Sequence, residues 1–261
     1  MHSTIDPVSK LFKSLKTLSS TLRICDRILV HTPKDLNRMK NIALENNVTL
    51  FPHGIVDFKP FDKNPVSSTM NSVFTISTFG YCLPHKGFPE LIKAVKKLLD
   101  QDVPIRLKMI TALYDESFNW FYNELTQLVI RLGLNDVVEI NKEYLQEEEI
   151  LLALSNTDLV VFPYQNTNES SSAAVRQGIA SRTPVAVTPL HIFDDVLKVV
   201  QVLPSTSIDD IAKGIYDFYL TQYLGNNSSI SSESNKGWID QHSFSNVAIR
   251  LQGMIRGLES N

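Results

Sequence analysis

DLVVFPYQNTNESSSAAVRQGIASRTPVAVTP, residues 158–189, reads as a strand, a loop, a helix and a second strand. Residues 158–164 are a short apolar run rich in Val and Phe, the composition of a buried strand. Residues 165–168 are polar. Glu169 and three serines, Ser170, Ser171 and Ser172, come next, and serines in that place cap helices. The helix continues through Ala173, Ala174, Val175 and Ile179, and Pro184 ends it. Residues 185–187 are a second buried strand. Strands joined through a helix in this way pair in parallel. The loop ahead of the helix then lies at the carboxyl end of its strand, where open α/β sheets bind ligands. Unpaired N–H groups at the helix start favour an anion, most often a phosphate.

The same alternation continues on both sides. Upstream, helices are expected over 7–22 and from Thr32-Pro33, with strands at 27–31 and 48–51. Residues 58–72 are polar and Pro-containing, a linker. Strands follow at 73–79, 105–113 and 137–140, and helices after Gly87, over 117–132 and over 146–154. Downstream, a short helix is expected at 191–197, a strand at 199–203, and helices over 208–224 and 243–258. The stretch GNNSSISSESNK, 225–236, reads as a flexible loop. Strands alternating with helices give an α/β fold with a doubly wound parallel sheet over 73–224. Residues 1–57 offer about two strands and two helices, too few for an independent parallel domain.

Composition narrows the function. The chain has 261 residues, 43% of them hydrophobic, enough for one large or two modest cores. A net charge of −3 gives no basic surface for nucleic acid. Cys25 and Cys82 make no disulfide framework, so a reducing, cytoplasmic setting is expected. No apolar run approaches the roughly 20 residues of a membrane-spanning helix, and the start is not a signal peptide. No histidine has a metal-ligand partner at helical spacing, so no metal is expected. No nucleophile elbow, dinucleotide fingerprint or Walker loop occurs.

The central stretch resembles the nucleotide-sugar site of retaining GT-B glycosyltransferases of the "glycosyl transferases group 1" type. That family carries a Glu, seven residues, a second Glu, and a Thr-Pro-Val strand. Here Glu169 holds the first place, Gln177 stands in the second, and the family's Gly-Thr-Pro-Val reads Arg182-Thr183-Pro184-Val185, so the pattern is departed from at two positions. Gly80 and Lys86-Gly87 match the family's glycine, short loop and Lys-Gly, while an Arg that often follows the glycine is Tyr81. ILVHTPKDLNRMK and NVTLFPHGIVD resemble the end of the family's first domain and its lead into the second. The resemblance therefore implies a Rossmann-like donor half behind a truncated remnant of the acceptor-side domain. It also implies that the last helix crosses back onto that first domain.

Two readings stand beside each candidate residue. Lys86 is a solvated surface lysine on its own. By resemblance it meets the donor diphosphate. Glu169 would interact with the helix dipole on its own account, and by resemblance it accepts hydrogen bonds from hydroxyls of the donor sugar. Ser170, Ser171 and Ser172 cap the helix, offer donors to the phosphates, or do both. Gln177 is a surface residue or, by resemblance, a ribose ligand weakened by its lack of charge. Arg176 is solvent-exposed, or replaces the lost cation. The loop from Asn141 to Tyr144 lies where the family seats the base.

The leading expectation is a hexosyltransferase-like enzyme, with catalytic Glu169 and Lys86, acting in polysaccharide or glycoconjugate synthesis. It would take a nucleotide-diphosphate sugar, need no cofactor, and retain the anomeric configuration. Its acceptor would be a saccharide, lipid or protein, its place the cytoplasm, with a peripheral membrane position left open. The alternatives are a non-catalytic nucleotide-sugar-binding remnant, a split enzyme whose partner protein supplies the missing first domain, and an unrelated flavodoxin-type binding domain.

Overall fold

The computed structural model describes Thr4 and residues 14–58, 73–224 and 232–259. A small N-terminal unit comprises α1 (Leu15–Leu22), β1 (Ile28–Val30), α2 (Pro33–Lys40) and β2 (Val48–Leu50). The two strands pair in parallel. Ser14 caps α1, so the part of the expected 7–22 helix that can be described begins at Leu15; residues 7–13 lie outside the described residues. Thr32 caps α2 by accepting from Asp35 N at 3.2 Å, with Pro33 in the first turn, as that dipeptide predicts. Ile28, Val30, Met39, Leu44 and Val48 form this unit's own core.

The larger unit is a six-stranded parallel sheet in the order β5-β4-β3-β6-β7-β8. Its strands are β3 (Phe74–Phe79), β4 (Ile105–Ile110), β5 (Val138–Asn141), β6 (Leu159–Phe162), β7 (Val185–Val187) and β8 (Gln201–Val202). Its helices are α3 (Phe88–Leu99), α4 (Asn119–Arg131), α5 (Glu147–Ser155), α6 (Ala173–Ala180) and α7 (Ile208–Phe218). Side chains alternate along β6, so Leu159 and Val161 face one core while Val160 and Phe162 face the other. The first core is closed by α3, α4 and α7, the second by α5 and α6. Helices on both faces explain why the central strands β6 (LVVF) and β7 (VAV) read as unbroken apolar runs, fully buried along their length. The chain winds outward from β3 in one direction and then from β6 in the other, so the switch point lies between β3 and β6.

Five expectations are corrected. The strand expected at 105–113 ends at Ile110. The helix expected at 191–197 is a single 3-10 turn, His191–Phe193, continued by i→i−3 bonds that bury Ile192, Phe193 and Val196. The strand expected at 199–203 is only Gln201–Val202. The helix expected over 208–224 is α-helical only to Phe218, and Tyr219–Leu224 is a π-helical turn. There Tyr219 and Tyr223 stand 5.3 and 5.0 Å from the Phe74 ring. The loop expected over 225–236 becomes helix α8 (Ser232–His242) from Ser232, while 225–231 lie outside the described residues. Burial of Ile239 in the second core overrides the poor helix propensity of the Ser and Asn residues.

The segment after β2 straps the units together. Ile55 pairs with Ser243, its N–H donating to His242 O at 2.8 Å, and Arg182 meets Asp57 at 3.4 Å. Of the expected 58–72 linker only Phe58 is described. The last helix, α9 (Phe244–Glu259), has no buried residue. Cys25 and Cys82 are free thiols. Among the described residues no helix is long and apolar enough to cross a membrane.

Candidate functional site

A cavity of about 370 Å³ opens at the carboxyl ends of β3, β4 and β5, over the switch point between β3 and β6. Open α/β sheets place their ligands there, and the volume lies within the range of small-molecule sites. Gly80, Tyr81 and Lys86 line one side, Tyr144 and Glu147 another. The loop and helix after β6 supply Glu169, Ser172, Ala173, Ala174 and Gln177. Among the described residues no group of three or more His, Cys, Asp or Glu stands close enough to hold a metal.

Lys86 is not the solvated lysine its surroundings in sequence allow. Its side chain is 10% exposed, and Nζ lies 4.0 Å from the centroid of the Tyr164 ring and 4.0 Å from Glu169 Oε2. The aromatic face holds the ammonium electrostatically, worth about 1–2 kcal/mol in a partly dry site. Glu169 is half exposed, so its ion pair with Lys86 adds little to stability. Tyr164 itself is fully buried, and its hydroxyl reaches Ser172 Oγ at 3.3 Å. Sequence reasoning passed over Tyr164. The available signal was a tyrosine ending a buried apolar strand, where its O–H must find a partner.

Gly87 follows Lys86 with φ +75°, and a Cβ there would stand 1.8 Å from Pro163 O. Only glycine lets the turn come down onto the β6 loop, which is how Lys86 reaches Tyr164. Gly80 ends β3 at φ +138°, again a glycine conformation, and keeps the cavity wall low. His85 lies beside Lys86. Burial pulls its pKa below the usual histidine value and the Lys86 charge adds to this, against an opposing pull from Glu169.

The three serines divide their work. Ser172 caps α6, accepting from Val175 N at 3.2 Å, and lines the cavity. Ser170 and Ser171 do not line it. Ser170 Oγ donates to Asp35 Oδ1 at 2.9 Å, a contact from the larger unit to α2. Ser171 Oγ donates to Asp195 Oδ2 at 3.1 Å. Glu169, three residues before the cap, does not cap the helix; it pairs with Lys86 instead.

Arg176 is a correction. It is neither exposed nor on this cavity: it is 4% exposed, paired with Asp195, and donates to Ser171 Oγ and Ser172 O, both at 2.9 Å. Its charge is compensated by the part-buried Asp195 carboxylate, and it does not face this cavity. Helical spacing explains the split, because Ala173 and Gln177 share a face four residues apart and Arg176 is turned about 100° from Gln177.

Asn141 is likewise off the cavity wall, its Oδ1 accepting from Glu143 N at 2.8 Å, whereas Tyr144 lines the cavity and is 72% exposed. Gln177 donates from Nε2 to Glu147 Oε1 at 2.8 Å. Glu147 was not singled out in the sequence, since a glutamate in the first turn of α5 reads as a dipole partner.

No known family's sequence model matches the chain, and no curated protein matches its sequence. Solved structures do match it. A glycosyltransferase from Rickettsia africae superposes with a TM-score of 0.79 at 14% identity, covering 98% of this chain and 69% of that one. HepE from Anabaena, in complex with UDP and glucose, gives 0.76 at 14% identity over 100% of this chain and 70% of that one. Sucrose-phosphate synthase from Thermosynechococcus elongatus gives 0.74 at 14% identity over 97% and 64%. Along the described chain, this molecule has the fold that GT-B glycosyltransferases share.

Proposed function

We propose that the chain is the donor half of a glycosyltransferase, moving a sugar from a nucleotide-diphosphate sugar to an acceptor with retention of configuration. The observation that carries this reading is the cavity over the switch point, which brings Lys86, Glu169 and the capped start of α6 together. The diphosphate would lie against the α6 N-terminus and the Lys86 ammonium, both preorganised for the charge that grows on the leaving group. Glu169, half exposed and 4.0 Å from Lys86, would accept hydrogen bonds from the sugar hydroxyls. Tyr144 would face the base. HepE, crystallised with UDP and glucose, supports the ligand class. The acceptor would be a saccharide, lipid or protein group in polysaccharide or glycoconjugate synthesis, in the cytoplasm, with a partner protein completing the acceptor side if the enzyme is split.

Thermal unfolding with UDP, GDP, ADP and their sugar conjugates tests this. At about a hundred times its Kd a donor adds about 2.7 kcal/mol, a readable shift. Lys86→Ala and Glu169→Ala should each remove most of that shift while leaving the unliganded Tm within a few degrees. A folded chain that no nucleotide shifts sinks the reading. Binding without transfer is the second reading. It is favoured by Tyr81, an uncharged ring on the cavity wall where the resemblance expects an arginine. Donor turnover by the purified chain would exclude it.

A further inference from the structure

Beyond Lys86 and Glu169 the cavity has a second polar end, where α5 meets α6. Gln177 Nε2 donates to Glu147 Oε1 at 2.8 Å, and both residues line the cavity. We propose that Glu147 is the carboxylate that binds the ribose diol of the donor nucleotide, and that Gln177 is the positioning residue that holds it there. The proposal rests on the donor-site reading above and adds its specificity for ribonucleotides.

Three observations carry it. The first is spacing. Gln177 lies five residues along α6 from the Ser172 cap, about 7.5 Å along the helix axis. A nucleotide whose phosphates meet the helix start therefore carries its ribose toward this end. The second is chemistry. A vicinal diol presents two O–H donors, and a carboxylate accepts both, the arrangement by which acidic side chains read ribose in other α/β folds. Glu147 is exposed, and its bond to Gln177 engages one oxygen of the carboxylate.

The third is the identity of residue 177. A glutamate there, which the resemblance expects, would set two carboxylates against each other across a 2.8 Å contact, and like charges so close cannot both ionise. Glutamine turns the clash into a hydrogen bond. The orientation of its amide is fixed by that bond, since the flipped form would point its oxygen at Glu147. Gln177 Oε1 is left buried without a hydrogen-bond partner among the described residues, a cost the Glu147 bond must offset. The missing charge on α6 has thus moved to α5.

The test is isothermal titration of the chain with UDP, GDP and ADP, and with the 2′,3′-dideoxy form of whichever binds. Glu147→Ala should weaken the ribonucleotide about tenfold or more, the usual value of a charge-assisted pair, and leave the dideoxy form unchanged. Gln177→Glu alone should also weaken the ribonucleotide. The exchange Glu147→Gln with Gln177→Glu should restore affinity to within about threefold of the parent, because the pair is coupled. Equal losses on both ligands, or none, overturn the assignment of Glu147. An exchange that merely adds the two single losses overturns the role of Gln177. If the folded parent binds none of the three diphosphates, the donor reading itself falls and this assignment with it.

Discussion

Lys86 shows how a residue's role can be hidden by its neighbours in sequence. Lys-Gly after a loop is ordinary surface chemistry, yet here the ammonium sits over Tyr164 and beside Glu169. Gly87 makes this possible, so its substitution is the sharpest test of the turn. Gly87→Ala would place a methyl 1.8 Å from Pro163 O at φ +75°. The left-handed backbone alone costs an alanine about 1–2 kcal/mol, and the clash adds to it. Urea unfolding of Gly87→Ala should show a loss of more than about 2 kcal/mol, and nucleotide binding should fall with it. An unchanged midpoint would mean that the turn is not held in this conformation.

At the scale of the element, α6 is an eight-residue helix that faces two environments. Ala173, Ala174 and Gln177 present small or neutral groups to the cavity, while Val175, Arg176 and Ile179 are buried away from it. So short a helix depends on its cap and packing, not on propensity. Ser172→Ala should cost about 1 kcal/mol, and Ser172→Gly only a few tenths. Chemical denaturation of both variants checks this, and equal losses would show that the Tyr164 contact outweighs the cap. The serine run was legible as a cap in the sequence. Which serine serves was not, because the choice depends on where β6 delivers the chain and on what waits for Ser170 and Ser171 across the fold.

Across the whole molecule, the two units meet at Asp35. It is 2% exposed and accepts from Thr4, Thr32 and Ser170, with Arg38 3.8 Å away. Burial pushes its carboxyl up, but the hydrogen bonds from Thr32, Thr4 and Ser170 and the Arg38 charge outweigh this and hold it below the usual range. A depressed folded pKa means stability that is fully present above the unfolded value, about 3.9, and lost as pH falls through the folded one. The contact should therefore hold at neutral pH and loosen in acid. Asp35→Asn should lower stability at pH 7 by about 1–3 kcal/mol, the worth of hydrogen bonds to a charged group. It should also flatten the acid dependence below pH 4. A variant that keeps the parent's acid profile would show that Asp35 does not couple the units.

By itself the sequence determined the doubly wound parallel sheet, the loop that carries Glu169, and the Lys86-Gly87 turn. These are set by local patterns: apolar runs for buried strands, capping residues, and a glycine that opens the helix after Lys86. Only the tertiary structure decided which side chains share the cavity. Arg176 and Gln177 are neighbours in sequence, yet one is tied to Asp195 behind α6 and the other to Glu147 in front. Glu147 and Tyr164 entered the site from segments whose sequence announces only a helix start and a strand end. The helix from Ser232 formed because Ile239 found the second core, not because its residues favour a helix. Periodicity is written in consecutive residues. The facing of one helix against another is set by long-range packing, and no local pattern encodes it.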